Sequence, residues 1–566
     1  MIPNRTRVVV LLVSLLVGIL PVRSQESGVS SDILTTLKPA LESIRADRIF
    51  DSIKVLASDR FEGRNVGTAG EALTVDHLVS EFKRAGLKPG NPDGTYVQNV
   101  PLVGYRTQPR IELDAKGIKA SLNFPDDFVH EFPRLQPQVS INDAEVVFGG
   151  YGIVAPEYGW DDYKGIDVRN KLVIFLGGEP SIQDKNDPTK MDSTFFKGDL
   201  RTFYSTMEYK KELAAEKGAA AVLFITDPEK SPNYSIFKTF ALLGGFALEP
   251  RGPANKALAV TGLVTISAAR RLFAAAGQDL DALQSSAQTK DFKPVSTNAR
   301  ANISVISKLR RVKSQNVVAR IEGSDPRLKD EYLVYTAHWD HLGMDKNLKG
   351  DQIYNGAIDN AIGTAEMLAI ARGLARLPRA PKRSILFIAT TAEEKGWLGS
   401  RYYVQNPLYP LSKTIADINL DGGNVWGRTK DVNSSGYGYT TLDEYFEAAA
   451  QLQGRTFPKE SMDNNGLYFG SDNVEFARGG VPAFFAFGGF EYTGRPADFG
   501  GNKWNGYADK DYHKVSDEIG PDWDLSGAAE DAQWLLIAGY KIAQAAKRPE
   551  WKAGSEFKAL IERAKK

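Results

Sequence analysis

Cysteine is absent from the 566 residues, which excludes disulfide frameworks, thiolate-ligated zinc, iron–sulfur clusters and cysteine nucleophiles. Histidine is nearly as scarce, with five, at positions 77, 130, 338, 341 and 513, so any imidazole chemistry draws on that short set. Neither sign of charge is in excess: Lys plus Arg is 70 and Asp plus Glu is 70. A polyanion binder needs a basic surplus to neutralise phosphates, so no nucleic acid is expected as a partner. There is no phosphate loop ending in Gly-Lys-Ser/Thr, no Gly-x-Ser-x-Gly elbow and no His-Glu-x-x-His helix. A lone Gly150-Tyr151-Gly152-Ile153-Val154-Ala155 follows a strand pattern. The Pro156-Glu157-Tyr158-Gly159-Trp160 that follows has no helical period, so the motif reads as a turn and not as a dinucleotide site.

Long apolar runs are also missing, except at the start. Arg5 and Arg7 precede an apolar run over residues 8–20, and Val22-Arg23-Ser24 supplies small residues where a signal peptidase cuts. The run falls short of the roughly 20 residues that span a bilayer. Residues 1–24 therefore read as a signal peptide, with an N-terminal anchor as the alternative. The mature chain is expected to be secreted or periplasmic, without stable membrane insertion.

What is present divides into sections. Residues 25–105 carry helical patterning, as over 71–85, stopped by Gly86-Leu87-Lys88-Pro89-Gly90. Residues 106–300 change character: 146–148, 172–176 and 221–225 read as short strands and 213–217 as a helix. From about 305 to 545, apolar runs at 333–335, 385–388, 415–418 and 481–485 alternate with helical stretches at 361–376, 441–452 and 525–546. That alternation predicts an α/β fold, a sheet covered by helices on both faces.

Polar residues gather at the ends of those strands. His338, Asp340 and His341 follow the first; Glu393 and Glu394 follow the second; Asp421 follows the third; Asp359 precedes a helix, and His513 lies far downstream. In an open α/β sheet the carboxyl ends of strands face one crevice, so these segments are expected to converge. Imidazoles and carboxylates without thiols suit zinc. A pair of zinc ions needs a bridging carboxylate. Of two adjacent glutamates, one can bind metal while the other moves a proton. Asp340, two residues past His338, suits a carboxylate that orients a metal-bound imidazole. Each residue taken singly has a plainer reading. Glu393-Glu394 is then a solvated surface pair, Asp359 a helix N-cap and His341 a satisfied histidine with no metal role.

Taken in order, the strings resemble one family. They are Ala337-His338-Trp339-Asp340-His341-Leu342-Gly343, Asn355-Gly356-Ala357-Ile358-Asp359-Asn360-Ala361, Ala392-Glu393-Glu394-Lys395-Gly396-Trp397-Leu398-Gly399-Ser400, Asn419-Leu420-Asp421 and Asp511-Tyr512-His513-Lys514-Val515-Ser516-Asp517. They are similar to the co-catalytic zinc exopeptidases of metallopeptidase family 28, which include bacterial leucyl aminopeptidases and aminopeptidases S and Y. The early Leu56-Ala57-Ser58-Asp59-Arg60-Phe61-Glu62-Gly63-Arg64 also resembles that family. The section near 140–290 more loosely resembles an inserted, β-rich protease-associated domain.

The resemblance implies a three-layer α/β/α peptidase domain with a mixed central sheet, built from residues 25–105 and 301–566 and interrupted by an insert at 106–300. It implies two zinc ions per chain held by His338, Asp359, Glu394, Asp421 and His513, with Asp359 bridging. Asp340 stands behind His338. Glu393 is the implied general base, and Tyr512 the implied oxyanion donor, unless it is a core tyrosine beside a ligand. The activity implied is removal of N-terminal amino acids from peptides by a metal-activated water. Three alternatives stay open: a carboxypeptidase with Arg495 or Lys503 holding the substrate carboxylate, a glutaminyl cyclase, and a non-catalytic peptide-binding protein. The chain departs from its relatives at Asn473, where histidine is frequent, at Ile362, where serine is common, and at Gly422-Gly423, where a larger apolar residue is frequent. The Gly- and aromatic-rich stretch over 492–507 is expected to shape a substrate pocket.

Overall fold

The structure, a computed structural model, describes residues 23–564 apart from 116, 132–133, 232–233, 251–256 and 460–465. The expected signal peptide lies outside the described residues except for its last two positions. No helix among the described residues is long and apolar enough to cross a membrane.

The site sits on a run of parallel strands. Tyr332–His338 is flanked on one side by Ser384–Thr390 and on the other by Thr414–Leu420, beyond which lies Ala483–Phe487, all parallel. The three central strands are buried at every position, the pattern of strands covered on both faces. On one face pack the helices Ala46–Leu56, Ile362–Leu374 and Ser526–Gln544, through Ile53, Ile370 and Leu536. On the other face lie Leu398–Gln405 and Asn473–Arg478, through Tyr403 and Phe476. The α/β architecture with a mixed sheet is as expected. The run predicted at 481–485 is displaced to Ala483–Phe487, since Pro482 has no N–H for a ladder; its carbonyl still accepts from the Asp417 N–H at 2.9 Å.

The expected boundaries at 106 and 300 fall inside two unusually long strands. Val97–Ala115 leads away from the strands that carry the site and Val295–Ile321 returns to them. They pair antiparallel from Val97↔Val317 to Ala115↔Ala299. The returning strand also pairs with Gln138–Phe148 near its start and with Ser384–Thr390 near its end. Among the described residues, one sheet of 15 strands thus runs through both regions. The segment between the two long strands is not strands alone. Its parallel strands Leu172–Leu176, Ala221–Thr226 and Val260–Thr265 alternate with helices that include Met207–Glu216 and Ile266–Ala275. The Gly150–Gly152 motif is a turn, with both glycines at positive φ, and no α-helix opens directly after it.

Candidate metal centre

Parallel pairing brings the strand ends level. His338 is paired with Thr390, and Thr336 with Asn419, so His338, Glu393-Glu394 and Asp421 emerge side by side at the carboxyl edge. Asp359 arrives from the loop that opens the helix Ile362–Leu374. That loop needs Gly356: φ is +57°, and a Cβ there would meet the Asp359 carbonyl oxygen at 2.2 Å and His341 Cδ2 at 2.5 Å. Ala392 and His513 also adopt left-handed backbone, at φ 54° and 58°. Local strain of this kind collects at sites where a side chain is aimed against backbone preference.

The side chains form two groups that share one carboxylate. His338 Nε2 lies 3.3 Å from Asp359 Oδ1 and 3.2 Å from Asp421 Oδ1. His513 Nε2 lies 3.1 Å from Asp359 Oδ2 and 3.1 Å from Glu394 Oε2. Asp359 therefore turns one oxygen to each group. The other Glu394 oxygen, Oε1, meets His341 Nδ1 at 2.5 Å. Glu393 Oε2 stands 3.9 Å from His338 Nε2. Neighbouring ligands on a tetrahedral zinc with bonds of about 2.0 Å are about 3.3 Å apart, so these spacings fit such ions.

The electrostatics make the same demand. Five carboxylates, those of Asp340, Asp359, Glu393, Glu394 and Asp421, crowd His338, His341 and His513, and all but Asp421 and His513 are buried. Burial pushes Glu393 well above the usual carboxylate range, helped by the Asp421, Glu394 and Asp472 charges. Burial alone would also raise Glu394, but His513 and His341 prevail and hold it low. Burial would lower His513, yet Glu394 and Asp359 raise it to about 10. Against burial, the carboxylates hold His338 well above its ordinary value. Burial raises Asp340 to about 7. A buried excess of negative charge of this size calls for cations.

A surrounding set of residues holds the donors in place. His338 Nδ1 meets the backbone carbonyl of Asp340 at 3.1 Å, while the Asp340 carboxylate is 3.9 Å away. That carboxylate accepts instead from the Glu393 N–H at 3.0 Å. Asp340 thus steadies both His338 and the glutamate pair, the first through its main chain. Ser471 donates to Asp421 Oδ2 at 2.6 Å. Asp517 accepts from the N–H groups of Ile358 and Asp359 at 2.9 and 3.1 Å. The buried Arg64 guanidinium donates to the carbonyls of Leu56, Trp339, Asn355 and Gly356 at 2.6 to 2.9 Å. It ties the N-terminal segment to both the His338 and the Asp359 loops. Sequence reasoning assigned no role to Arg64, Ser471 or Asp517, although Arg64 and Asp517 lie inside quoted strings.

Tyr512 stacks on His513 with ring centroids 4.0 Å apart and keeps 38% of its surface exposed. Desolvation and the surrounding carboxylates hold its phenol protonated, well above its ordinary value. Both residues line a cavity of about 910 Å³ that continues to the ribbon of the two long strands. Arg495 and Lys503 are not on this lining; they sit over the Phe499 ring, at 5.1 and 5.7 Å. In the 492–507 stretch, Trp504 packs on Trp426 and Phe487 at 5.0 and 4.9 Å. Two departures from the family pattern prove complementary. A Cβ at Gly423 would meet Ile362 Cδ1 at 2.8 Å, so the small residue leaves the room that Ile362 fills. Asn473 donates to the Tyr468 carbonyl at 2.7 Å, a structural bond.

Comparisons with known proteins concern this same segment. Residues 316–537 match the family model described as peptidase family M28. The chain is 33% identical over 129 residues to the mouse (Mus musculus) aminopeptidase NAALADL1, covering 22% of this chain and 15% of that protein. It is 31% identical over 173 residues to aminopeptidase YwaD of Bacillus subtilis, covering 30% and 34%. Among solved structures, an aminopeptidase from Aneurinibacillus sp. strain AM-1 aligns with a TM-score of 0.46 at 16% identity, over 91% of this chain and 97% of that one. The chain thus spans well under half the length of these two curated relatives. The segment that matches the model of peptidase family M28, residues 316–537, carries every donor of the cluster.

Proposed function

We propose that the protein is a zinc-dependent aminopeptidase with two metal ions per chain. The observation that carries this reading is the division of Asp359, one oxygen toward His338 and Asp421 and the other toward His513 and Glu394. Those five residues would hold the metal. Zinc, when bound, supplies Lewis acidity and brings the pKa of a coordinated water toward neutrality.

The remaining chemistry belongs to the chain. Glu393 stands 3.9 Å from His338 Nε2 without being drawn into either group, so it is free to take a proton from water and return it to the leaving amine. Its N–H is anchored by Asp340, which fixes the main chain from which the carboxylate extends. Tyr512 stays protonated at the cavity wall and donates its hydroxyl to the oxyanion that forms at the scissile carbonyl. Ser471 fixes the rotamer of Asp421. Residues 1–24 are read as directing the chain out of the cytoplasm.

The test joins composition to end-group specificity. The mature protein, purified without chelator, is expected to carry about two zinc ions per chain. It should release the first residue of a free-amino peptide and leave the N-acetylated peptide intact. Absence of zinc even after zinc is supplied, or equal cleavage of the blocked peptide, would overturn the reading.

A further inference from the structure

The cavity beside the metal centre has a second wall, and that wall is basic. It is made by the ribbon of Val97–Ala115 and Val295–Ile321, which carries Arg106, Lys308 and Arg310. Lys308 is the direct cross-strand partner of Arg106, and Arg310 is the partner of Gly104. Successive residues of a strand alternate in direction, so 308 and 310 share a face with 104 and 106. Like charges placed directly opposite destabilise a strand pair, so Lys308 and Arg106 gain from an anion between them. The neighbouring cation on the opposite face differs: Arg311 Nε pairs with Glu249 at 2.8 Å. Lys308 and Arg310 make no ion pair among the described residues. Arg310 is held by the Phe246 ring, its guanidinium carbon 5.2 Å from the centroid, and an ideal Cβ on Gly67 would lie 3.5 Å from its Nη1.

The far side of the cavity adds Lys395 and Lys514, beside Tyr512 and His513. Asp345 and Asp509 are the carboxylates on the lining, leaving five cationic side chains against two anionic ones. Asp345 is already engaged by Asn347, through N–H and Nδ2 at 2.9 and 2.8 Å. A concave, low-dielectric cleft with a one-sided charge concentrates ions of the other sign. Gly104 helps to keep the wall accessible, since a Cβ there would press on both Arg310 and Phe246 at 3.2 Å.

We propose that Lys308 and Arg310, with Arg106 beside them, form a carboxylate-binding subsite for the part of a peptide downstream of the cleaved bond. The preferred substrates are then short peptides bearing an acidic side chain or a free C-terminus near the metal centre. The position relative to the cut rests on the aminopeptidase reading; the affinity for a carboxylate does not. The subsite is contributed by the strands that lead into and out of the insert, so the insert's attachment itself shapes specificity.

Calorimetric titration of the zinc-loaded, full-length Glu393→Gln protein tests this with three peptides: Leu-Ala-Glu-Glu amide, Leu-Ala-Ala-Ala free acid and Leu-Ala-Ala-Ala amide. At least one carboxylate-bearing peptide should bind about tenfold more tightly than the neutral amide, the scale of one charge-assisted contact. Which of the two gains separates a side-chain carboxylate from a terminal one. The preference should vanish in Lys308→Ala/Arg310→Ala and persist in Arg311→Ala, which removes the same kind of charge from the other face. Equal binding of all three peptides, or a preference unchanged in the double variant, would overturn the proposal. Leucine release from the neutral amide by the unsubstituted protein is measured alongside. A protein that prefers the acidic peptide but releases nothing would keep the subsite and discard the peptidase reading.

Discussion

The large sheet contains two runs of parallel strands, and their carboxyl edges have opposite characters. Between the two long strands, Leu172–Leu176, Ala221–Thr226 and Val260–Thr265 run parallel, as the three strands behind His338, Glu393 and Asp421 do. Each polar group just beyond the inserted strands is spent on its own loop or its neighbour. Glu179 accepts from the Thr202 N–H at 2.9 Å, Asp227 pairs with Lys230 at 3.2 Å, and Thr265 caps the helix that follows by accepting from the Ala268 N–H at 3.2 Å. At the other edge the donors face one another, imidazoles against carboxylates. The same architecture therefore hosts a closed edge and a reactive one, and the difference lies in a few residues at the strand ends.

The strongest test of that contrast is Glu393→Gln. Loss of the proton carrier should lower kcat by about 10³-fold or more while the zinc content stays at its original value. Glu179→Gln, the corresponding strand-end acid of the insert, should leave kcat unchanged. A Glu393→Gln enzyme with full turnover would remove the distinction between the two edges, at least as far as catalysis is concerned. Steady-state kinetics with metal analysis of both variants reads the result.

A smaller effect separates glycines at similar φ. Gly356→Ala places a Cβ against backbone and His341 in a left-handed turn, and should cost about 3 kcal/mol of stability together with weaker zinc retention. Gly159 in the insert has a φ of +64° and open space where a Cβ would go. Gly159→Ala should cost only about 1 kcal/mol, the backbone preference alone, and leave zinc in place. Denaturant midpoints and zinc titration distinguish the two. Similar costs at both positions would mean that the Asp359 loop relaxes more easily than its packing implies.

Legibility followed the same division. The strands behind the site are short, mainly apolar and followed by charged residues, so their place and their ends could be read from the sequence. The ribbon could not: Val295–Ile321 has 27 residues, well beyond ordinary strand length, and its polar residues alternate with apolar ones through cations and a bulge. That pattern hid a strand that joins two regions and placed their boundary in its middle. The residues that hold the site were invisible for another reason. Arg64 meets carbonyls 275 to 292 positions away, and Ser471 meets an aspartate 50 positions earlier. Contacts to main-chain carbonyls leave no spacing to recognise, whereas ligand residues at strand ends do. His341 carried both readings in the sequence, and its Nδ1, 2.5 Å from Glu394 and 3.9 Å from Asp359, sets it within the cluster.

The histidines extend the comparison to pH, with the smallest effect expected. His338 and His513 are held above their ordinary range by carboxylates that outweigh burial. His130, in the insert strand Phe128–Glu131, shows what burial does when no such cluster opposes it. It is 5% exposed, its Nε2 meets Thr107 Oγ1 at 2.7 Å, and burial pushes its pKa down to about 4. A folded pKa below the unfolded one means that the unfolded chain gains the proton first as pH falls. The contribution is fully present above about pH 6.5 and is lost progressively down to about pH 4, up to about 3 kcal/mol in all. His130→Gln offers a neutral side chain with a donor and an acceptor, and does not titrate. Denaturation followed at pH 7 and pH 4.5 should therefore show a smaller acid-induced loss of stability in His130→Gln than in the unsubstituted protein, by about 1–3 kcal/mol. The same loss in both proteins would show that the proton reaches His130 without unfolding, and that the insert is looser around this strand than its burial implies.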